Sequence, residues 1–221
     1  MLMGLLSGLF GRSHSSPTSF VRRWSDRRMR ELRREHVVTV DTLFAGFITY
    51  LSDFAKPPPK REGIDEEEER LRLHVSTHYG GDWALFEVGC YTCFRLDRWL
   101  FAEHPELGGE LLPGFLRSFT KLFGEALELP DIRDLLGQRL EAYSELARSE
   151  ADIQTYHSHL TQLILRTEDN RKPEPYDFSN GPIMISDAFV VFALKLELKA
   201  WESVRIPALI ESMAKLITLM K

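Results

Sequence analysis

Residues 82–103 read DWALFEVGCYTCFRLDRWLFAE, the stretch of this chain with apolar side chains on nearly every side. Trp83, Leu85, Phe86, Val88, Cys90, Tyr91, Cys93, Phe94, Leu96, Trp99, Leu100 and Phe101 leave no broad polar face if the segment is helical. Such a helix must be surrounded by several neighbours, not laid on one. Gly80-Gly81 separates it from what precedes, Asp82 is a suitable N-cap, and His104-Pro105 ends it. These features predict an all-α, single-domain bundle of seven to nine helices built around residues 82–103.

The surrounding segments carry helical periods. Leu43, Phe44, Phe47, Tyr50, Leu51 and Phe54 mark a helix over about 40–54. KPPPKREG (56–63) stops it, and DEEEER opens a third helix that ends near Gly80-Gly81. A helix from Pro105 to about 127 is interrupted in its first half by Gly108, Gly109, Pro113 and Gly114, which predicts a kink or a late start. Pro130 to Arg148 follows, with Ile132, Leu135, Leu136, Leu140, Tyr143 and Leu146 inward. Residues 151–167 come next, with Ile153, Tyr156, Leu160, Leu163 and Ile164 inward. After an irregular stretch over 168–183, MISDAFVVFALKLELKAW fits a helix better than a strand, because no pairing partner is evident. Residues 206–220 close the chain as a helix.

Charge is unevenly distributed. Residues 1–36 hold eight arginines against Asp26, Glu31 and Glu35, a net of +5; with −5 on the whole chain, the remainder carries −10. This divides the chain into a mobile lead with an Arg-rich helical arm (1–36) and an acidic all-helical body (37–221). In the arm, Arg23, Arg27, Arg30 and Arg34 recur at helical spacing over a thin apolar stripe of Phe20, Val21, Trp24 and Leu32. That row fits an acidic protein surface, nucleic-acid phosphates or an anionic membrane. The acidic body opposes nucleic acid, and a solvated helix with internal Arg–Glu pairs needs no ligand at all.

Of the residues able to carry chemistry, Cys90-Tyr-Thr-Cys93 lies about two turns inside its helix, away from the N-terminal amides that would activate a thiolate, and reads as two small buried residues. His74 and His78 share a helix face at i, i+4, a weak metal-ligand pair with no glutamate beside the first histidine. His157 and His159 point about 200° apart on a helix and cannot share an ion; both read as surface or partly buried. Glu87, Arg95, Asp97 and Arg98 sit on the apolar central segment, and Asp187 lies within IMISDAF. Carboxylates placed there need basic partners, or they line a polar pocket as acid/base groups. Glu87, Asp97 and Asp187 are therefore the catalytic candidates, weighed against simple structural pairing and, for Asp187, an N-cap.

The chain has no Gly-rich phosphate loop, GxSxG or HExxH motif. No apolar run reaches the roughly 18 residues that cross a bilayer, and the apolar N-terminus lacks a basic start and a cleavage site. These features point to an intracellular, cytoplasmic location with no cofactor. The function expected is a non-catalytic protein-interaction module, with a neutralising, immunity-type partner of a basic protein as one form of it. The alternatives are an enzyme or metal-binding protein with a polar pocket in the bundle core, and nucleic-acid or anionic-membrane contact through the Arg-rich helix.

Overall fold

The computed structural model describes residues 19–35, 40–54, 81–165 and 167, and isolated positions between 199 and 218. Six helices run through the continuous stretches: α1 (Phe20–Glu35), α2 (Val40–Phe54), α3 (Asp82–Glu103), α4 (Pro105–Ala126), α5 (Ile132–Arg148) and α6 (Ile153–Leu165). The described residues include no strand. The all-α class therefore holds, with six helices among the described residues against seven to nine expected. The helix expected before Gly80, the first 17 residues and nearly all of MISDAFVVFALKLELKAW lie outside them.

α3 is the hub and packs on all five other helices. Every residue from Asp82 to Phe94 is buried. Beyond Leu96 only one side of the helix stays in the core, with Leu100 buried and Trp99 half-buried, which corrects the expectation that its apolar character keeps it enclosed all round to the end: Asp97 and Arg98 are exposed, and Phe101 is 73% exposed. The core has two chemically distinct halves. Towards α2 and α4 it is phenylalanine on phenylalanine, with Phe47 and Phe115 centroids 4.9 Å apart and Phe86 and Phe123 5.5 Å apart. Towards α5 and α6 it is hydroxylated, with Tyr91 and Tyr143 at 5.3 Å and Phe94 stacked between Tyr143 and Tyr156.

Asp82 does not cap its own helix. Gly81 takes the N-cap position, and Asp82, the first helical residue, turns its carboxylate to the start of α1. It accepts hydrogen bonds from the Phe20 amide at 3.1 Å and the Val21 amide at 3.0 Å, while Ser19 Oγ accepts from the Arg22 amide. Three of the amides that a helix start leaves without partners are thus satisfied. α1 is seated as well as capped. Val21, Ser25 and Leu32 are buried, Ser25 Oγ meets Thr49 Oγ1 of α2 at 2.9 Å, and Trp24 lies edge-on to Phe44.

α4 begins at Pro105 and runs through Pro113, so the expected late start does not occur. Pro113 and Gly109, four residues before it, are both exposed. The carbonyl that proline leaves without an amide therefore faces water, where the loss costs least. The ends of α4 and α5 close alike, each with a glutamate in left-handed backbone: Glu128 and Glu150, both at φ 54°. The amide after each reaches back, Leu129 to the Gly124 carbonyl and Ala151 to the Leu146 carbonyl, both at 3.0 Å. The inward residues of α5 and α6 are buried or half-buried as their periods predict, except Ile153 at the start of α6, which is 40% exposed.

Candidate functional site

Two polar groups lie in the hydroxylated half of the core, and one basic face lies on α1. The first polar group forms where α3 meets α5. Glu87 is fully buried. Opposite it, Arg139 stands in the apolar stripe of α5, between Leu135/Leu136 and Tyr143. Arg139 Nε donates to Glu87 Oε2 at 2.9 Å and Oε1 at 3.1 Å, and Nη2 donates to Oε1 at 2.9 Å. This is the two-pronged arrangement that a planar guanidinium makes with a carboxylate. Burial raises the Glu87 carboxyl above its ordinary range and Arg139 opposes the rise. Both carboxylate oxygens are occupied, so Glu87 is not a free base.

The neighbours of this pair are held neutral. Burial first, and then the Glu87 charge, push the Cys90 thiol and the Tyr143 hydroxyl well above their ordinary values. Burial alone raises Cys93. Neither cysteine is a thiolate nucleophile in this setting. Burial, then the positive charge of Arg139, lowers His159 below its ordinary value. The His159 and Tyr143 rings meet edge to face at 5.3 Å, and neither the Tyr143 hydroxyl nor His159 Nε2 has a hydrogen-bond partner among the described residues.

The second group lies where α3 and α6 meet Glu202. Glu202 Oε1 accepts from the Tyr91 hydroxyl at 2.9 Å and lies 3.3 Å from Arg95 Nε, and Oε2 is bonded to His157 Nε2. Burial alone would raise Glu202, but the hydrogen bonds from His157 and Tyr91 and the charge of Arg95 hold it below the ordinary value. Tyr91 is pushed up by burial and then by Glu202. His157 is buried, at 2% exposure, which corrects the expectation of a surface or partly buried residue. His157 and His159 do face different partners, as their spacing requires.

The structure does not gather the three candidate carboxylates. Glu87 is enclosed. Asp97, ten residues or about 15 Å further along α3, is exposed and has no neighbouring-helix arginine as partner among the described residues. Asp187, His74 and His78 lie outside the described residues. Arg139 and Glu202, the residues that complete the two polar groups, were not among the candidates. Arg139 carried a signal, as the one charged residue at an inward position of its helix. Glu202 carried none, because its partners lie 45 and 111 residues away in sequence.

The α1 row is exposed at Arg23, Arg27, Arg30 and Arg34. Arg27 pairs with Glu31 at 2.9 Å, and Arg28 bridges Glu31 at 3.2 Å and Asp41 at 3.1 Å. Among the described residues, Arg23, Arg30, Arg33 and Arg34 find no ion pair or hydrogen bond for their side chains. Beside the row, a cleft of about 380 Å³ opens between α1, α2 and α4, floored by Trp24 and Phe44 and edged by Lys121 and Glu125. Among the described residues, no helix is long and apolar enough to cross a membrane, and no group of three or more His, Cys, Asp or Glu is placed to hold a metal.

No protein-family model, no curated protein and no solved structure matches the chain.

Proposed function

We propose that the chain is a non-catalytic protein-interaction module that docks an acidic protein surface on α1. One observation carries this reading. The inward side of α1 is spent inside the bundle, with Val21, Leu32 and the hydrogen-bonded Ser25 buried, while Arg23, Arg30, Arg33 and Arg34 stand exposed and unpaired among the described residues on a helix that Asp82 and Ser19 hold in place. A preorganised charged face costs less to bind than a free arm. Burial of the apolar side also leaves α1 little to insert into a bilayer, so membrane contact through it would be electrostatic alone.

The test is affinity capture by the full chain against the variant Arg23→Ala/Arg30→Ala/Arg33→Ala/Arg34→Ala. Truncating the arm would be a poor control, because it would strip a seated helix from the core. The reading expects a stoichiometric protein partner for the full chain and its loss from the variant. Equal capture by both would count against it.

A second reading, a polar pocket with catalytic or metal chemistry, draws support from the unpartnered Tyr143 hydroxyl and His159 Nε2. Against it, Arg139 occupies Glu87. A zinc, manganese and iron titration followed by calorimetry would test it, with no heat of binding counting against the metal form.

A further inference from the structure

Where α3 passes α5, small residues stand opposite a large one. Phe94 and Arg98 lie one turn apart on α3, and Ser144 lies one turn from Ala147 and Arg148 on α5. These five residues line one open cleft of about 330 Å³ between the two helices. Ser144 and Ala147 are too small to close it. Its floor is fixed, because Phe94 is stacked between Tyr143 and Tyr156. The charged residues in its lining are both arginines, on an otherwise acidic body; Asp97, Glu141 and Glu145 do not line it. Among the described residues, Arg98 finds no ion pair or hydrogen bond. Arg148 meets Glu141 at 2.6 Å, but the two side chains are 62% and 63% exposed, and a pair so open to water contributes little and exchanges readily. The Ser144 hydroxyl donates to the Leu140 carbonyl at 2.8 Å, so towards the cleft it is an acceptor.

Two guanidiniums lining one cleft repel each other until an anion sits between them. A carboxylate offsets one of the two charges. A phosphate monoester carries about −1.5 to −2 at pH 7 and has three terminal oxygens, enough to accept from both planar forks. Phe94 and Ala147 present carbon surface beside the arginines, which suits an apolar part attached to the phosphate. We propose that the cleft binds a small phosphate monoester, its phosphate held between Arg98 and Arg148 and its organic part lying on Phe94 and Ala147. A hydroxyl or N–H on that organic part donates to the Ser144 oxygen. The volume is at the low end for ligand pockets and limits the ligand to roughly one ring beside its phosphate. No residue of α1 takes part, so the site stands or falls apart from the docking reading.

The test is a titration of the isotope-labelled full chain with phenyl phosphate, read by NMR, at about pH 7.5 and about 50 mM salt. A saturable shift is expected at the amides around Phe94, Arg98, Ser144 and Ala147, with a Kd of about 1 mM or lower. Benzoate keeps the ring with a single charge, and inorganic phosphate keeps the charge without the ring. Each is expected to bind at least about tenfold more weakly. Arg98→Gln/Arg148→Gln is expected to lose at least about tenfold in affinity, while Arg133→Gln, at an exposed arginine of α5 outside the cleft, binds as the wild type does. Both cleft arginines are exposed, and circular dichroism checks that the variants fold. Ala147→Phe fills the cleft with both charges kept and is expected to abolish the shift. No saturable shift by about 10 mM phenyl phosphate would overturn the proposal, as would shifts centred on α1. So would benzoate or inorganic phosphate binding as tightly as phenyl phosphate, or wild-type affinity in either cleft variant.

Discussion

Asp82 Oδ1 accepts the Val21 amide at 3.0 Å, across 61 residues of chain. The start of the most buried helix thereby caps the start of the most basic one. This contact makes α1 part of the bundle, and it is the point at which the arm can be loosened without touching its arginines. Asp82→Ala is expected to cost about 1–2 kcal/mol. Urea unfolding would read the loss, and hydrogen exchange would place it at the Phe20 and Val21 amides. Asp82→Asn keeps one acceptor oxygen for two amides and should fall between the two. An alanine variant with unchanged protection at those amides would show the cap to be dispensable.

The Glu87–Arg139 pair should behave asymmetrically. Arg139→Met alone leaves a buried carboxylate without its partner and is expected to cost about 3–5 kcal/mol. Replacing both partners, Glu87→Leu with Arg139→Met, removes the charge together with its desolvation penalty. The double variant is therefore expected to be at least as stable as wild type. Equilibrium denaturation of the two single variants and the double variant closes the cycle. A double variant as unstable as the worse single one would mean that the pair stabilises by more than mutual neutralisation.

Acid should weaken the protein in two steps. His159 is harder to protonate folded than unfolded, through burial and then Arg139. The unfolded chain therefore binds the extra proton first, and this contribution, complete above the ordinary value of 6.5, is lost as pH falls below it. Glu202 is held below its ordinary value of 4.5, so its contribution is complete above that value and is lost on further acidification. Urea midpoints between about pH 7.5 and about pH 2.5 should show both steps. His159→Gln should remove the upper step and Glu202→Gln the lower one. A His159→Gln profile that superimposes on wild type would refute the first assignment.

Two backbone positions, one within α5 and one just past its end, should respond in predictable directions. A methyl group at Gly137 would meet nothing within 4 Å, so Gly137→Ala should add about 1 kcal/mol through helix propensity. Glu150 holds left-handed backbone at φ 54°, where glycine is the unstrained residue. Glu150→Gly should therefore stabilise by about 0.5–1 kcal/mol after the entropy that glycine loses on folding. Thermal melts would show either effect, and a lowered midpoint for either variant would contradict it.

Cys90 and Cys93 are buried, and burial holds both thiols protonated. Their alkylation by iodoacetamide should follow the rate of opening of the core and rise only as urea approaches the unfolding transition. Rapid labelling in buffer would show a local opening at α3.

Much of this architecture was legible because helix periodicity is written in neighbours three and four residues apart. The burial of residues 82–94, the inward faces of α5 and α6 and the need of Glu87 for a basic partner all follow from residues within a few turns of each other. Arg139 stood in the open as the charged residue on an apolar stripe. Other features had no local signature. Asp82 reads as an N-cap for its own helix and serves another. Asp97, read as needing a partner or a pocket, and Phe101, one of the apolar residues of an enclosed helix, stand outside, because past Leu96 the neighbours of α3 cover only its Leu100 side. Glu202 joins Tyr91 and His157 across 111 and 45 residues. Among the described residues, the sequence by itself determined which segments are helical and which side of most of them turns inward, since those depend on short-range backbone geometry and side-chain polarity. Which carboxylate meets which amide, guanidinium or imidazole was decided only by tertiary structure. Such bonds form between groups that become neighbours once the helices have packed, and packing is a property of whole faces rather than of local spacing.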